Sequence, residues 1–209
     1  LMNQRLSHEE ILDSLWGNDI AKFPAHLTTI NLAINDLSVE KNYPRVIQKD
    51  FFDLLSPGEE GFQLPEDVRK VFLKTMDKEE LEVIHPRWFD AIVGNPPYTR
   101  QEEISEISSG ETYKEKLIEK ALAHPTSINR RSREGSYATI SKRAGIYAYF
   151  FIHGAKFLKN GGRFGFIVSN AWLDVEYGAG LQEFFLKNYK IVAIIESKVE
   201  RWFEDADIN

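Results

Sequence analysis

The chain has 209 residues, 43% of them hydrophobic and 28% charged, with a formal net charge of -6 and no cysteine. That length can bury a full core, the composition excludes a disordered chain, and the missing thiols exclude a disulfide framework or a thiolate metal site. With no run of about eighteen apolar residues and no basic-then-apolar leader, a soluble cytoplasmic protein without a membrane span is expected.

Along the chain, helical and extended patterns alternate. HEEILDS at 8–14 reads as the end of a helix, and LWGNDI at 15–20 as a short apolar stretch closing on Asp19. PAHLTTINLAIND at 24–36 carries Leu27, Ile30, Leu32 and Ile34 at mostly helical spacing, continued by Leu37, with Pro24 suited to a first turn. RVIQKDFFDL at 45–54 starts as a strand and breaks at Asp50. Residues 56–82 form a polar excursion in which PEDVRKVFLKTM predicts a helix.

FDAIVG at 89–94 reads as a buried strand, and a long polar segment runs from Thr99 to about Arg143. GIYAYFFIHGAKFL at 145–158 predicts a helix, and the glycine pair of KNGGRFGFIVSN a turn into a strand. GAGLQEFFLKN predicts another helix and YKIVAIIES another strand. Such alternation points to an α/β fold with a mostly parallel sheet.

Ligands of such sheets bind beyond the carboxyl ends of the strands. Three of those ends carry distinctive residues: Asp19, then Asp50 with Phe51, then Asn95 to Tyr98 in GNPPY. Any one Asp also suits a plain capping role. Pro96 and Pro97 each fix φ and lack an N–H, so they hold a rigid extended segment. The side-chain oxygen of Asn95 and the carbonyl of Pro96 then make two acceptors suited to a planar NH2 group. Tyr98 adds a face on which the ring bearing that amine can stack.

GNPPY resembles the motif of S-adenosylmethionine-dependent DNA methyltransferases that act on the exocyclic amine of adenine. By that resemblance Asn95 and Pro96 accept from the target amine, Tyr98 stacks on a base flipped from the duplex, and Pro97 shapes the loop. The two acceptors help localise the nitrogen lone pair toward the methyl group. Positioning supplies much of the rate, and methyl transfer needs no metal.

WGNDIAKFPAHLTTINLAI is similar to the family's second motif, which places Asp19, with Ile20 beside it, at the cofactor ribose. VIQKDFFD is similar to the third, which places Asp50 and Phe51 at the cofactor adenine. YAYFFIHGAKFLKNGGRFGFIVSNAWL and ESKVERWFEDADIN resemble later segments, so the likeness covers most of residues 11 to 209. The nearest type is the large restriction-modification methylase. It implies a Rossmann-like class I methyltransferase sheet with helices on both faces, and double-stranded DNA as partner.

The family's first motif, a strand and a Gly-rich turn, has no counterpart upstream of Asp19. The resemblance therefore implies that residues 1–209 are a partial catalytic domain with a polar insertion at about 99–143. The rest of the polypeptide, with a target-recognition region, would lie elsewhere, and cofactor binding by these residues alone is expected to be weak. From Lys114 to Arg143 there are eight basic and three acidic residues. Arg130, Arg131 and Arg133 are the candidates for DNA phosphates, against a plain solvated surface.

His26, His85 and His153 lack metal-ligand spacing, so no metal site is expected. Phe51-Phe52, Phe150-Phe151 and Phe184-Phe185 read as core, and Trp172 as either core or pocket lining. Two other readings remain open. One is a methyltransferase acting on a protein glutamine amide, which also presents a planar NH2; the other is a non-catalytic DNA-binding scaffold.

Overall fold

The computed structural model describes residues 6–39, 42–54, 70–74, 80–98, 111–122, 140–141 and 143–196. They divide between two compact units, one holding the described residues up to 54 and from 70 to 86, the other those from 87 onward.

The first unit opens with α1 (His8–Ser14), started by a capping box in which Ser7 and Glu10 satisfy each other's backbone N–H groups. Strand β1 (Trp16–Asp19) leads into α2 (Lys22–Ala33), which has Pro24 in its first turn, and β2 (Arg45–Gln48) follows. β1 and β2 pair in parallel, Trp16 opposite Arg45 and Asp19 opposite Gln48. The Arg45 guanidinium bonds Asp13 and lies over the Trp16 ring, 5.5 Å from its centroid. Leu12, Ala25, Ala33, Ile47, Phe52 and Leu54 are buried.

Two short strands complete this unit: β3 (Lys70–Lys74) and β4 (Glu80–Ile84), antiparallel, with Phe72 opposite Glu82. The helix expected over PEDVRKVFLKTM is therefore corrected at residues 70–74, which are a strand; 65–69 and 75–76 lie outside the described residues. KVFLK alternates polar and apolar residues as readily as it fits a helix turn. Pairing with the β-branched Val83 and Ile84 favours the extended form.

The second unit contains β5 (Phe89–Gly94), α3 (Glu111–Leu122), α4 (Ile146–Ala155), β6 (Leu158–Phe166) and α5 (Ala179–Asn188). β5 and β6 pair in parallel, from Phe89 opposite Leu158 to Gly94 opposite Phe166. The register skips between Phe89 and Ala91, where Asp90 alone faces the four residues 159–162. The expected glycine turn is thus a bulge inside the strand. Gly161 takes a positive φ of 79°, and a Cβ on Gly162 would fall 2.7 Å from Leu158 Cγ. Lys159 closes the bulge on the Asp90 carboxylate at 2.8 and 2.9 Å.

α4 is apolar on every side and buried along almost all its length. Phe151 meets Phe166 and Phe185 at ring separations of 4.7 Å, and Trp172 packs edge-on against Phe185 at 5.4 Å. Such pairs contribute about 0.5–1.5 kcal/mol each beyond the area they bury. α3 was not foreseen inside the polar segment. Its Leu117 and Ala121 are fully buried, and the buried Lys156 donates from Nζ to the Lys120 carbonyl, one of the orphan acceptors in the last turn of α3.

Two further expectations are corrected. FDAIVG is a strand but not a buried one: Asp90, Ala91, Val93 and Gly94 are exposed, because β6 pairs one edge and no other described strand pairs the second. YKIVAIIES forms no ladder over residues 189–196, since no described strand pairs with it. The described strands make three two-stranded sheets, two parallel and one antiparallel, in a mixed α/β chain. No described helix is long and apolar enough to cross a membrane.

Candidate functional site

Each parallel pair ends on the residues singled out from sequence. In the first unit Asp19 is the last residue of β1, and its Oδ1 accepts from the backbone N–H of Ala21 at 2.7 Å. Neighbouring Asn18 is held by Nδ2, which donates to the carbonyls of Ile47 and Lys49. One carboxylate oxygen of Asp19 is thus pinned into a turn, and the other has no hydrogen bond among the described residues. Ile20 is exposed.

At the end of β2, Asp50 caps the single 3-10 turn Phe51–Asp53, its Oδ1 accepting from Phe52 N–H at 3.0 Å. Phe52 is buried and Phe51 half-buried, their rings edge-on at 5.8 Å. The core reading thus holds for Phe52, while Phe51 is only half-buried.

In the second unit the ladder runs to the threshold of the proline pair, where Ile167 N–H donates to the Gly94 carbonyl at 3.0 Å. Asn95 is exposed, Pro96 buried, Pro97 exposed and Tyr98 half-buried. The Tyr98 hydroxyl donates to Asn95 Oδ1, closing the loop on itself. Burial pushes the Tyr98 phenol above its ordinary acidity range, with the Asn95 hydrogen bond acting in the opposite sense.

A groove of 1360 Å³ runs beside β6, lined among others by Phe164, Phe166, Trp172, Tyr189 and Ile195. None of Asn95 to Tyr98 is among its described lining residues. Trp172 is half-buried, packs on Phe185 as the core reading expects, and lines this groove, whose described lining does not include the proline loop. Phe151, Phe184 and Phe185 are core, as is His153, edge-on to Phe157. His85 is buried edge-on to Trp16, and His26 is exposed. Arg130, Arg131 and Arg133 lie outside the described residues.

Residues 13–203 match the Eco57I restriction-modification methylase family. The chain belongs to that family. Among curated relatives, it is similar to the Type II methyltransferase M.BstVI of Geobacillus stearothermophilus, 34% identical over 117 residues, 56% of this chain and 17% of that protein. The Type II methyltransferase M.XhoI of Xanthomonas vasicola is 29% identical over 111 residues, 53% of this chain and 16% of the relative. M.PaeR7I of Pseudomonas aeruginosa, also a Type II methyltransferase, is 30% identical over 108 residues, 52% and 15% respectively. Each match therefore spans less than a fifth of the relative's length. An Eco57I-family methylase requires a methyl donor; the carboxylates of Asp19 and Asp50 are each oriented by a backbone N–H group.

Proposed function

We propose that this chain carries catalytic machinery of a restriction-modification DNA methyltransferase, moving a methyl group from S-adenosylmethionine to the exocyclic amine of adenine. The observation that carries the reading is the Asn95-Pro96-Pro97-Tyr98 loop leaving the carboxyl end of the parallel strand β5. Asn95 Oδ1 and the Pro96 carbonyl accept the two N–H groups of the amine. Tyr98 stacks on the target base, swung out of the duplex at a cost of a few kcal/mol. The family membership and the Type II relatives support DNA as the substrate.

S-adenosylmethionine would supply the methyl group as an electrophile. The open carboxylate oxygen of Asp19 would accept from its ribose hydroxyls, and Asp50 with Phe51 would hold its adenine. Both parallel pairs use the ladder type of a Rossmann-like class I sheet. Arg130, Arg131 and Arg133 would meet DNA phosphates, and their joint replacement by Ala should weaken binding and flatten its salt dependence.

Transfer of a labelled methyl group to duplex DNA by the full polypeptide tests the reading. Label recovered as N6-methyladenine, and reduced by about 10²-fold or more in Asn95→Ala, is the expected result, the scale being that of one lost active-site hydrogen bond. Label on protein glutamine, or none on DNA, would overturn it.

A further inference from the structure

Helix α4 has two unlike sides. Phe151 faces β6 and α5, with its ring against Phe164, Phe166 and Phe185. Tyr149, His153 and Lys156 lie roughly 140–200° around the helix axis from Phe151, on the side turned away from the strands. All three are buried. Helix α3 packs against α4, and Lys156 Nζ reaches the Lys120 carbonyl in its last turn, so α3 is the cover over that end of the stripe. Leu117 and Ala121 are the fully buried residues of α3.

The cover matches poorly what lies beneath it. The buried Tyr149 hydroxyl has no hydrogen-bond partner among the described residues. Lys156 makes one hydrogen bond and no ion pair there, since Glu115 and Glu119 stand on the exposed side of α3. Burial lowers its amine from 10.5 to about 8, so the bond to Lys120 offsets only part of the lost hydration. A contact that stays closed gains from apolar residues at such positions, whereas one that opens returns these groups to water. We propose that α3 is a detachable cover on α4, held by Leu117 and Ala121, opposed by the polar groups under it, and released before the rest of the unit unfolds. Release leaves the β5–β6 ladder and the rings around Phe151 intact, because both lie on the other side of α4. Only residues 99–110 separate α3 from Tyr98, so an open α3 frees the far end of the segment that begins at the proline loop.

Native-state hydrogen exchange of the full polypeptide at increasing urea tests the proposal. Amides of α3 should be about tenfold or more less protected than those of α4, with a weaker urea dependence, because opening one helix exposes less surface than unfolding the unit. Tyr149→Phe removes the orphan hydroxyl and Lys156→Met the buried amine, each with little change in volume. Each should raise the protection of α3 itself by about fivefold or more. Exchange of α3 with the protection and urea dependence of α4 would overturn the proposal, since α3 would then leave only on global unfolding. So would an α3 protection that either variant leaves unchanged, which would place its group outside what α3 covers. A lower α3 protection in Lys156→Met would overturn it as well, making the amine the fastener of α3.

Discussion

Helices α2 and α4 are both rich in large apolar residues, yet α4 is enclosed and α2 lies open. Ile146, Tyr147, Tyr149, Phe151 and Ile152 of α4 are all buried. On α2, Phe23, Leu27 and Ile30 form a stripe at spacings of four and three residues, continued by Ile34 and Leu37. All five are exposed, Phe23 at 76%. The stripe is a regular core-facing face, and what it lacks among the described residues is a surface to face. Apolar periodicity thus specifies a helix and its orientation, but burial depends on what packs against it.

The largest effect should come from emptying the enclosed helix. Ile152→Ala leaves a cavity under α4 and should cost about 2–5 kcal/mol, read as a lower denaturant midpoint. Next is Lys156, just beyond α4, whose pKa burial lowers from 10.5 to about 8. Between those values the unfolded chain binds the proton and the folded chain does not, so stability should rise with pH from about 8 toward 10.5. Lys156→Met should abolish that rise, on the order of 3 kcal/mol in the difference between the two pH-stability curves.

Gly178, the residue before α5, tests close packing away from α4. A Cβ there would lie 2.0 Å from the Trp172 carbonyl oxygen, so Gly178→Ala should cost about 1–3 kcal/mol of unfolding free energy. The smallest effect belongs to α2. Phe23→Ser should change stability by no more than about 0.5 kcal/mol. A loss as large as that of Ile152→Ala would show that the α2 stripe is covered in solution, and the contrast between the helices would fail.

The elements legible in sequence were those whose local signals agree with their surroundings. LWGND and RVIQ end where Asp19 and Asp50 bend the chain, and FDAIVG stops at two prolines, which cannot join a ladder. The misreadings share a cause. ETYKEKLIEKAL hides a helix because only a narrow face, with Leu117 and Ala121, is apolar; KVFLK fits two periods; YKIVAIIES has strand composition without a described strand beside it. Each depended on a neighbour outside its own segment, the adjacent strand Glu80–Ile84 in the case of KVFLK. At the candidate site the residue types were legible, while the Tyr98–Asn95 hydrogen bond was not, because it depends on the path that Pro96 and Pro97 give the chain.

The bulge opposite Asp90 bears on how the chain can vary in length. A one-residue slip in a ladder turns each later side chain to the opposite face, and such a slip would misdirect Asn95. Here the surplus residues lie on β6, looped out around Gly161, while β5 runs uninterrupted from Phe89 to Gly94. One strand acts as the ruler and its partner takes up the slack. Residues gained or lost at the tip of the bulge would therefore change β6 without moving the point at which the proline loop begins.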